Sequence, residues 1–419
     1  MTQQNQERKS ISVLLSSTLA FTVCFMVWMV FGVLAPELKE QLQLNETRKF
    51  LLASTPVLTG SLVRVPLGIW TDRYGGRIVL FVLMLTTVIP IWLLSYATEF
   101  WHFLVLGLFV GLAGGSFSVG TPYVARWFPP RRQGMAMGVF GAGNSGSALN
   151  AIIAPWLIGL AGGAAVVGAW KVVPQTYAVV MLITAILFWF FSAHNPAHLV
   201  PSNVKLSQQL ALLKDPAVLR YCQYYFVVFG GYVGLALYLY NYFKDEYGFA
   251  GQIAGILTAC FAWPGGVLRA LGGWMSDRFG AYKTTWWVFV VCFVTFILLS
   301  CPSKGIDIGG MHIPGLNAWV FTAILFCVGI AMAVGKASVF KFISDEFTDN
   351  IGAVSGIVGL AGGLGGWLLP ILFGYLTDLT GMRSSAFMLL FATVVMSMLL
   401  MIFYQPRQGT PKSAAPKSA

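Results

Sequence analysis

Apolar residues run along this chain in stretches of twenty or more, separated by short polar loops. They do not form the one-sided stripe of a soluble amphipathic helix. About 20 consecutive apolar residues let a helix cross a bilayer. The pattern predicts twelve such spans, over 13–36, 48–70, 77–97, 101–125, 132–160, 173–193, 219–243, 250–273, 282–302, 316–343, 349–376 and 382–404. The alternating ten-residue segments of a membrane barrel are absent, and open strand edges cannot sit in lipid. The expected fold class is therefore an all-α polytopic membrane protein. The first apolar run is too long for the core of a signal peptide and should stay as a helix.

Composition strengthens this picture: 57% of residues are hydrophobic and 10% charged, against about 25% charged in soluble domains. A net charge of +11 could mean nucleic acid, but its distribution argues otherwise. With both termini cytoplasmic, one side collects Arg8, Lys9, Arg73, Arg77, Arg126, Arg131, Arg132 and most other basic residues. The opposite side holds Lys39, Arg48, Lys49, Lys171, Lys244, Lys304 and Arg383. This is the positive-inside bias of a plasma (inner) membrane protein, and it sets the orientation. The six Cys lie in or beside apolar spans without metal-ligand spacing. No segment is long enough for a soluble catalytic domain, and no cofactor, metal or nucleic-acid partner is expected. "GAGNSG" looks like a phosphate loop but follows no strand, so an enzyme is not expected.

The chain repeats itself. "RVPLGIWTDRYG" at 64–75 and "RALGGWMSDRFG" at 269–280 share Arg, Gly and Asp-Arg at a spacing of 205 residues. Gly120/Gly335 and Arg126/Lys341 match at 215, and Gly134, Gly138 and Gly141 match Gly352, Gly356 and Gly359 at 218. The offset grows where the second copy gains the loop "CPSKGIDIGGMHIPG". The expected organisation follows from this duplication. A cytoplasmic N-terminus over 1–12 leads into a six-helix bundle over 13–193. A cytoplasmic linker over 194–218 joins it to a second bundle over 219–404, and a disordered tail follows over 405–419. Transporters built from repeats place their site between the halves. "GIWTDRYGGR" and "GGWMSDRFGAYK" resemble the loop motif of the major facilitator superfamily. That resemblance implies that Asp72, Arg73, Arg77, Asp277 and Arg278 form a cytoplasmic gate.

Away from the span ends, three of the 26 basic residues are left inside spans, Arg64, Arg269 and Lys336, and none of the 15 acids lies deep in one. A central Arg or Lys costs about 2.5–3.5 kcal/mol on insertion scales. Two arginines placed symmetrically without carboxylates predict an anion site, since guanidinium keeps its charge and presents a planar fork to oxyanions. The tracts "GMAMGVFGAGNSGSALNAIIAP" (134–155) and "GAVSGIVGLAGGLGGWLLP" (352–370) put glycine at nearly every turn. Such residues let helices approach closely, and their density at Gly143, Gly362 and Gly363 also suits backbone lining a narrow cavity for a small substrate.

Two glycine tracts with one Arg per half strongly resemble the nitrate/nitrite porter branch of the major facilitators, over essentially the whole chain. The resemblance implies alternating access, with Arg64 and Arg269 clamping the anion. It also implies that Asn144 in "GNSG" hydrogen-bonds the substrate and that Tyr225 and Phe229 in "YFVVFG" contact it. Phe117 in "GGSF" would be the opposing ring. Lys336 in "AVGKASVFK" breaks the symmetry, its counterpart being Thr121. The shorter, proton-coupled members carry a similar "GKA" stretch. No acid or His lies deep in a span, and Lys, unlike Arg, can release a proton. The expectation is a monomeric nitrate/proton symporter, with protons as the coupling ion and lipid as the other partner. Nitrate–nitrite exchange is the alternative, and an organic-phosphate antiporter or passive anion channel stands behind it.

Overall fold

The apolar runs are helices, but several are broken near their centres. The computed structural model describes residues 3–196, 199, 212–303, 305–308, 311–313, 315–347 and 351–404. The tail over 405–419 and most of the linker, residues 200–211 with 197 and 198, lie outside the described residues.

The first half opens with α1 (Gln3–Trp28), α2 (Phe31–Leu42), α3 (Glu46–Leu62), α4 (Arg64–Tyr74) and α5 (Gly76–Leu93). It continues with α6 (Phe100–Val110), α7 (Ser116–Ala125), α8 (Pro130–Gly141), α9 (Gly146–Leu160) and α10 (Val172–Phe191). The second half has α11 (Pro216–Tyr225), α12 (Gly231–Tyr247), α13 (Gly251–Val267), α14 (Arg269–Phe279) and α15 (Ala281–Leu299). A hairpin of β1 (Ile306–Ile308) and β2 (Met311–Ile313) precedes α16 (Ala318–Glu346), α17 (Ile351–Thr380) and α18 (Ser385–Phe403). That hairpin lies in the loop inserted into the second copy, a small departure from the all-helical expectation.

Among the described residues, nine helices are long and apolar enough to cross a membrane, or eleven when two bent pairs are each taken as one span. The expected fifth span, 132–160, is the twelfth place. It is built from α8, a 3₁₀ turn over Ala142–Ser145 and α9. The bent pairs are α3–α4, which turns by 41° at Val63, and α13–α14, which turns by 47° at Leu268. Pro66 and Pro264 stand close to these bends and lack the N–H that would bond back to Leu62 and Cys260. A further 3₁₀ turn, Gly111–Gly115, separates α6 from α7, and a π turn, Phe226–Gly230, separates α11 from α12. The helices α4 and α14, which carry the repeated loop motif, end alike, at Gly75 and Gly280, with φ of 87° and 85°. A side chain would be strained at either position.

Large side chains such as Phe21, Trp28, Phe31, Tyr225 and Tyr232 are fully buried between helices, while Ile89, Trp101, Phe109, Phe190 and Trp287 face outward. An apolar exterior around a packed aromatic interior belongs to a multi-pass membrane protein. Lipid supplies no hydrophobic drive between helices, so close backbone approach must hold them together. Gly363 of α17 lies directly on Ser61 of α3, with no room for a methyl group. A Cβ on Gly266 of α13 would stand 2.7 Å from the Ser145 amide.

Candidate substrate site

Both broken helices deliver an arginine at the break. Arg64 is the first residue of α4 and Arg269 the first of α14. Each reaches toward the glycine tract of the opposite half. Arg64 Nη1 donates to the Gly359 carbonyl of α17 at 3.0 Å. Arg269 Cδ lies 3.8 Å from where a Cβ on Gly141 of α8 would stand, and the matching approach of Arg64 to Gly359 is also 3.8 Å. Gly141 and Gly359 are equivalents in the repeat, so the two contacts are pseudosymmetric. A larger residue at either glycine would lie against guanidinium.

Rings rather than carboxylates surround the two charges. The Arg64 guanidinium lies 5.2 Å from the Phe229 ring centre and 6.0 Å from Trp28. Arg269 lies 5.2 Å from Phe117 and 5.3 Å from Phe340. The rings also touch one another. In the second half Phe229 stacks on Tyr225 at 5.2 Å, and Tyr225 meets Phe340 edge-on at 5.0 Å. In the first half Trp28, Phe25, Phe21 and Phe117 follow at 5.2, 5.8 and 5.5 Å. The contacts close a circuit in which two arginines are set among seven rings. Buried cation–π contacts partly compensate a desolvated guanidinium but satisfy none of its N–H donors. Arg64 Nε is buried without a hydrogen-bond partner. Among the described residues neither arginine has an ion-pair partner.

The other expected residues fall around this circuit. Asn144, 2% exposed, sits in the 3₁₀ turn after α8 and donates to the Gly141 carbonyl at 2.7 Å. It therefore fixes the backbone against which Arg269 lies. Gly362 packs under the Tyr225 and Phe229 rings, Gly143 under Phe21, and Gly363 on Ser61. Lys336, 0% exposed, donates to the Gly265 carbonyl at 2.6 Å and stands 3.5 Å above the Tyr232 ring. Phe340 and Trp28 were not anticipated. Phe340 had a signal, since it stands four residues after Lys336 on the same helix face; Trp28 had none.

The two ends of the molecule differ in how they are tied. At one end, Asp72 pairs with Arg126, and its repeat equivalent Asp277 pairs with Lys341 at 3.2 Å. Arg77 donates to the Trp189 carbonyl at 2.6 Å and lies over that ring at 4.2 Å. Arg73 and Arg278 stack on their neighbours Tyr74, Trp274 and Phe279. All these contacts stay within one half.

At the opposite end, charges join the halves. Glu46 meets Lys39 at 2.6 Å, Lys49, and Arg383 of the second half at 3.7 Å. Asp245 meets Lys49 at 3.7 Å and Arg383 at 3.4 Å, while Lys244 meets Glu37 at 3.3 Å. Asp378 accepts from the Glu46 and Thr47 amides at 3.0 and 2.9 Å, anchoring the start of α3. Asn241 donates to the Gly32 carbonyl at 3.1 Å. Sequence reasoning missed this network because its members lie up to some 330 residues apart. A depression of about 420 Å³ outside it is lined by Pro36, Lys39, Glu40, Gln43, Leu44, Lys49, Asp245 and Arg383, and by none of the residues of the arginine circuit.

Comparison with known proteins agrees with this architecture. The family model described as Major Facilitator Superfamily matches residues 17–305 and 224–419. The chain is 37% identical over 412 residues to a probable nitrate/nitrite antiporter, NarK1, of Thermus thermophilus, covering 95% of this chain and 93% of that protein. It is 31% identical to a probable nitrate transporter, NarT, of Staphylococcus haemolyticus, over 89% and 91% of the two chains. It is 28% identical to a nitrite extrusion protein of Bacillus subtilis, over 96% and 97%. Among solved structures, an inward-facing, unoccupied bacterial homologue of the human lysosomal transporter Spinster superposes with a TM-score of 0.69. The identity there is 17%, over 94% of this chain and 95% of that one, and this likeness bears on fold alone.

Proposed function

The chain belongs to the Major Facilitator Superfamily, and on that footing we propose that it carries nitrate, and nitrite as a second cargo, across the plasma membrane by alternating access. One observation carries the reading. Two arginines from opposite halves stand half-buried among rings and glycine backbone, with the Arg64 Nε unused and no carboxylate beside either among the described residues. Such a site lacks a negative charge, and a small planar oxyanion supplies one while fitting between aromatic faces. The close glycine and ring packing around the arginines disfavours organic phosphates, which need more room. The names of the relatives support nitrate or nitrite as cargo.

Alternating access is supported by the contrast between the ends. Cross-half ion pairs seal the Glu46 end, assigned to the external side, while the pairs around Asp72 and Asp277 on the cytoplasmic side hold their own halves together. This contrast fits an inward-facing arrangement, with Asp72, Arg73, Arg77, Asp277 and Arg278 at the cytoplasmic gate. Asn144 shapes the Arg269 side of the clamp, and Tyr225, Phe229 and Phe117 form its walls.

Coupling to protons through Lys336 is the favoured mode. Its ammonium is held by a carbonyl and a ring, both of which tolerate its loss of charge better than a carboxylate would. Exchange is the second reading, favoured by the antiporter name of the Thermus relative. Nitrate uptake into proteoliposomes under imposed pH gradients, with and without internal nitrite, separates the two. Gradient-driven accumulation without internal nitrite is the expected result. Uptake that ignores the gradient and accelerates with internal nitrite establishes exchange, and no saturable uptake in any condition removes the carrier reading.

A further inference from the structure

The Tyr232 ring supports the Lys336 ammonium, and its hydroxyl reaches the other half of the molecule. Tyr232 Oη lies 2.8 Å from the Ala262 carbonyl and 2.9 Å from Ser147 Oγ of α9. Ser147 Oγ in turn lies 3.0 Å from the Asn144 carbonyl. All three side chains are buried. Each hydroxyl has one proton, so two protons face three contacts. When Tyr232 donates to Ala262, Ser147 donates to Tyr232 and leaves the Asn144 carbonyl. When Tyr232 donates to Ser147, Ser147 donates to Asn144 and the Ala262 carbonyl is left.

Separation of the halves at this point removes the competition. Tyr232 then keeps Ala262 in its own half, and Ser147 keeps Asn144 in its own. Leaving a buried hydroxyl without a partner is costly, and here neither hydroxyl is left. The contact can break and re-form without stranding a donor. Beside it, Gly266 lets α13 meet the Asn144–Ser145 turn at backbone distance.

We propose that Tyr232 is a positioning residue for transport. Its ring holds the Lys336 ammonium against the Gly265 carbonyl, just before the break that carries Arg269. Its hydroxyl ties that ammonium to the opposite half through a bond to Ser147 that is made and broken in each cycle. This rests on the alternating-access reading and not on release of a proton by Lys336.

The test uses the full chain in proteoliposomes, with nitrate as the probe for both binding and transport. Tyr232→Phe keeps the ring and removes the hydroxyl. Turnover should fall about tenfold or more while the nitrate Kd stays within about threefold. Ser147→Ala should move turnover in the same direction, Ser147→Thr should retain it, and the Tyr232→Phe/Ser147→Ala pair should be no slower than Tyr232→Phe. A Tyr232→Phe protein that transports at the parental rate overturns the proposal. So do effects of the two substitutions that multiply, or a change confined to Kd. A parental protein that binds and carries no nitrate overturns the carrier reading, and this proposal with it.

Discussion

Lys49 and Lys336 are both withdrawn from water, at 1% and 0% exposure, yet they are compensated in opposite ways. Lys49 sits between Glu46 and Asp245, inside a network whose charges are already matched. Lys336, like the two arginines near it, has rings and carbonyls and no carboxylate. A matched network closes a surface and has little capacity left for a ligand. Cations without carboxylates hold that capacity, because a charge withdrawn from water without a counterion is costly. The same residue types therefore match one another at one end of the molecule and leave the charge of its middle unmatched, as the proposed anion site requires.

The largest effect should come from keeping charge in the middle while removing the fork. Arg64→Lys and Arg269→Lys should each lower nitrate transport by about a hundredfold or more, with insertion into the membrane unchanged, because Lys cannot present two coplanar donors. Transport near the parental rate in either would mean that the middle is compensated in some other way. Next in size, Asn144→Ala releases the Gly141 carbonyl and removes a polar group beside Arg269. A hydrogen bond involving a charged partner is worth about 1.5–3 kcal/mol, so the nitrate Kd measured by titration should rise about tenfold or more. Equal Kd values would make Asn144 a purely local turn residue.

Lys336→Gln should abolish the stimulation of uptake by a pH gradient, a loss of about tenfold in accumulation. Lys336→Arg should bind nitrate but fail to cycle. A Gln variant that still accumulates nitrate from the gradient excludes Lys336 as the coupling group. The smallest effect belongs to the sealed end. Arg383→Gln loses contacts to the buried Glu46 and to the partly solvated Asp245 and Glu246, all made by a guanidinium that is itself partly exposed. Because one guanidinium shares them, the set is worth about 1 kcal/mol, so the open population should rise only several-fold. Distances between spin labels at Glu40 and Leu379 would read it, and an unchanged distribution would show that the helices close this end without the charges.

Much of this was legible in the chain. Arg64 and Arg269 announced themselves because a local rule, no charge in an apolar run, was broken twice at one spacing. Gly141 and Gly359 were visible as partners in the repeat, although only the fold shows that each meets the arginine of the other half. The bends at Val63 and Leu268 were not legible, because proline within an apolar helix is common and here sits three or four residues from the break. The π turn at Phe226–Gly230 gives no periodic signal, being a single extra residue in an otherwise helical run. The Glu46 network was hidden for another reason. Its charges read as ordinary loop residues until folding brings Lys39, Lys49, Asp245, Asp378 and Arg383 to one place.

The bends have a mechanical consequence. An arm such as α4 contains 11 residues, which at 1.5 Å each gives a lever about 16 Å long. Arg64 sits at its joint and Tyr74 at its tip. Changing the bend by about 10° would swing the tip by roughly 3 Å, yet displace the Arg64 backbone hardly at all. The same arithmetic holds for α14, also of 11 residues, with Arg269 at the joint. Placing each guanidinium at a pivot allows the loop ends to travel far while the distance between the two charges stays nearly constant. An anion held there would feel the gates move without losing its grip until the joint itself yields.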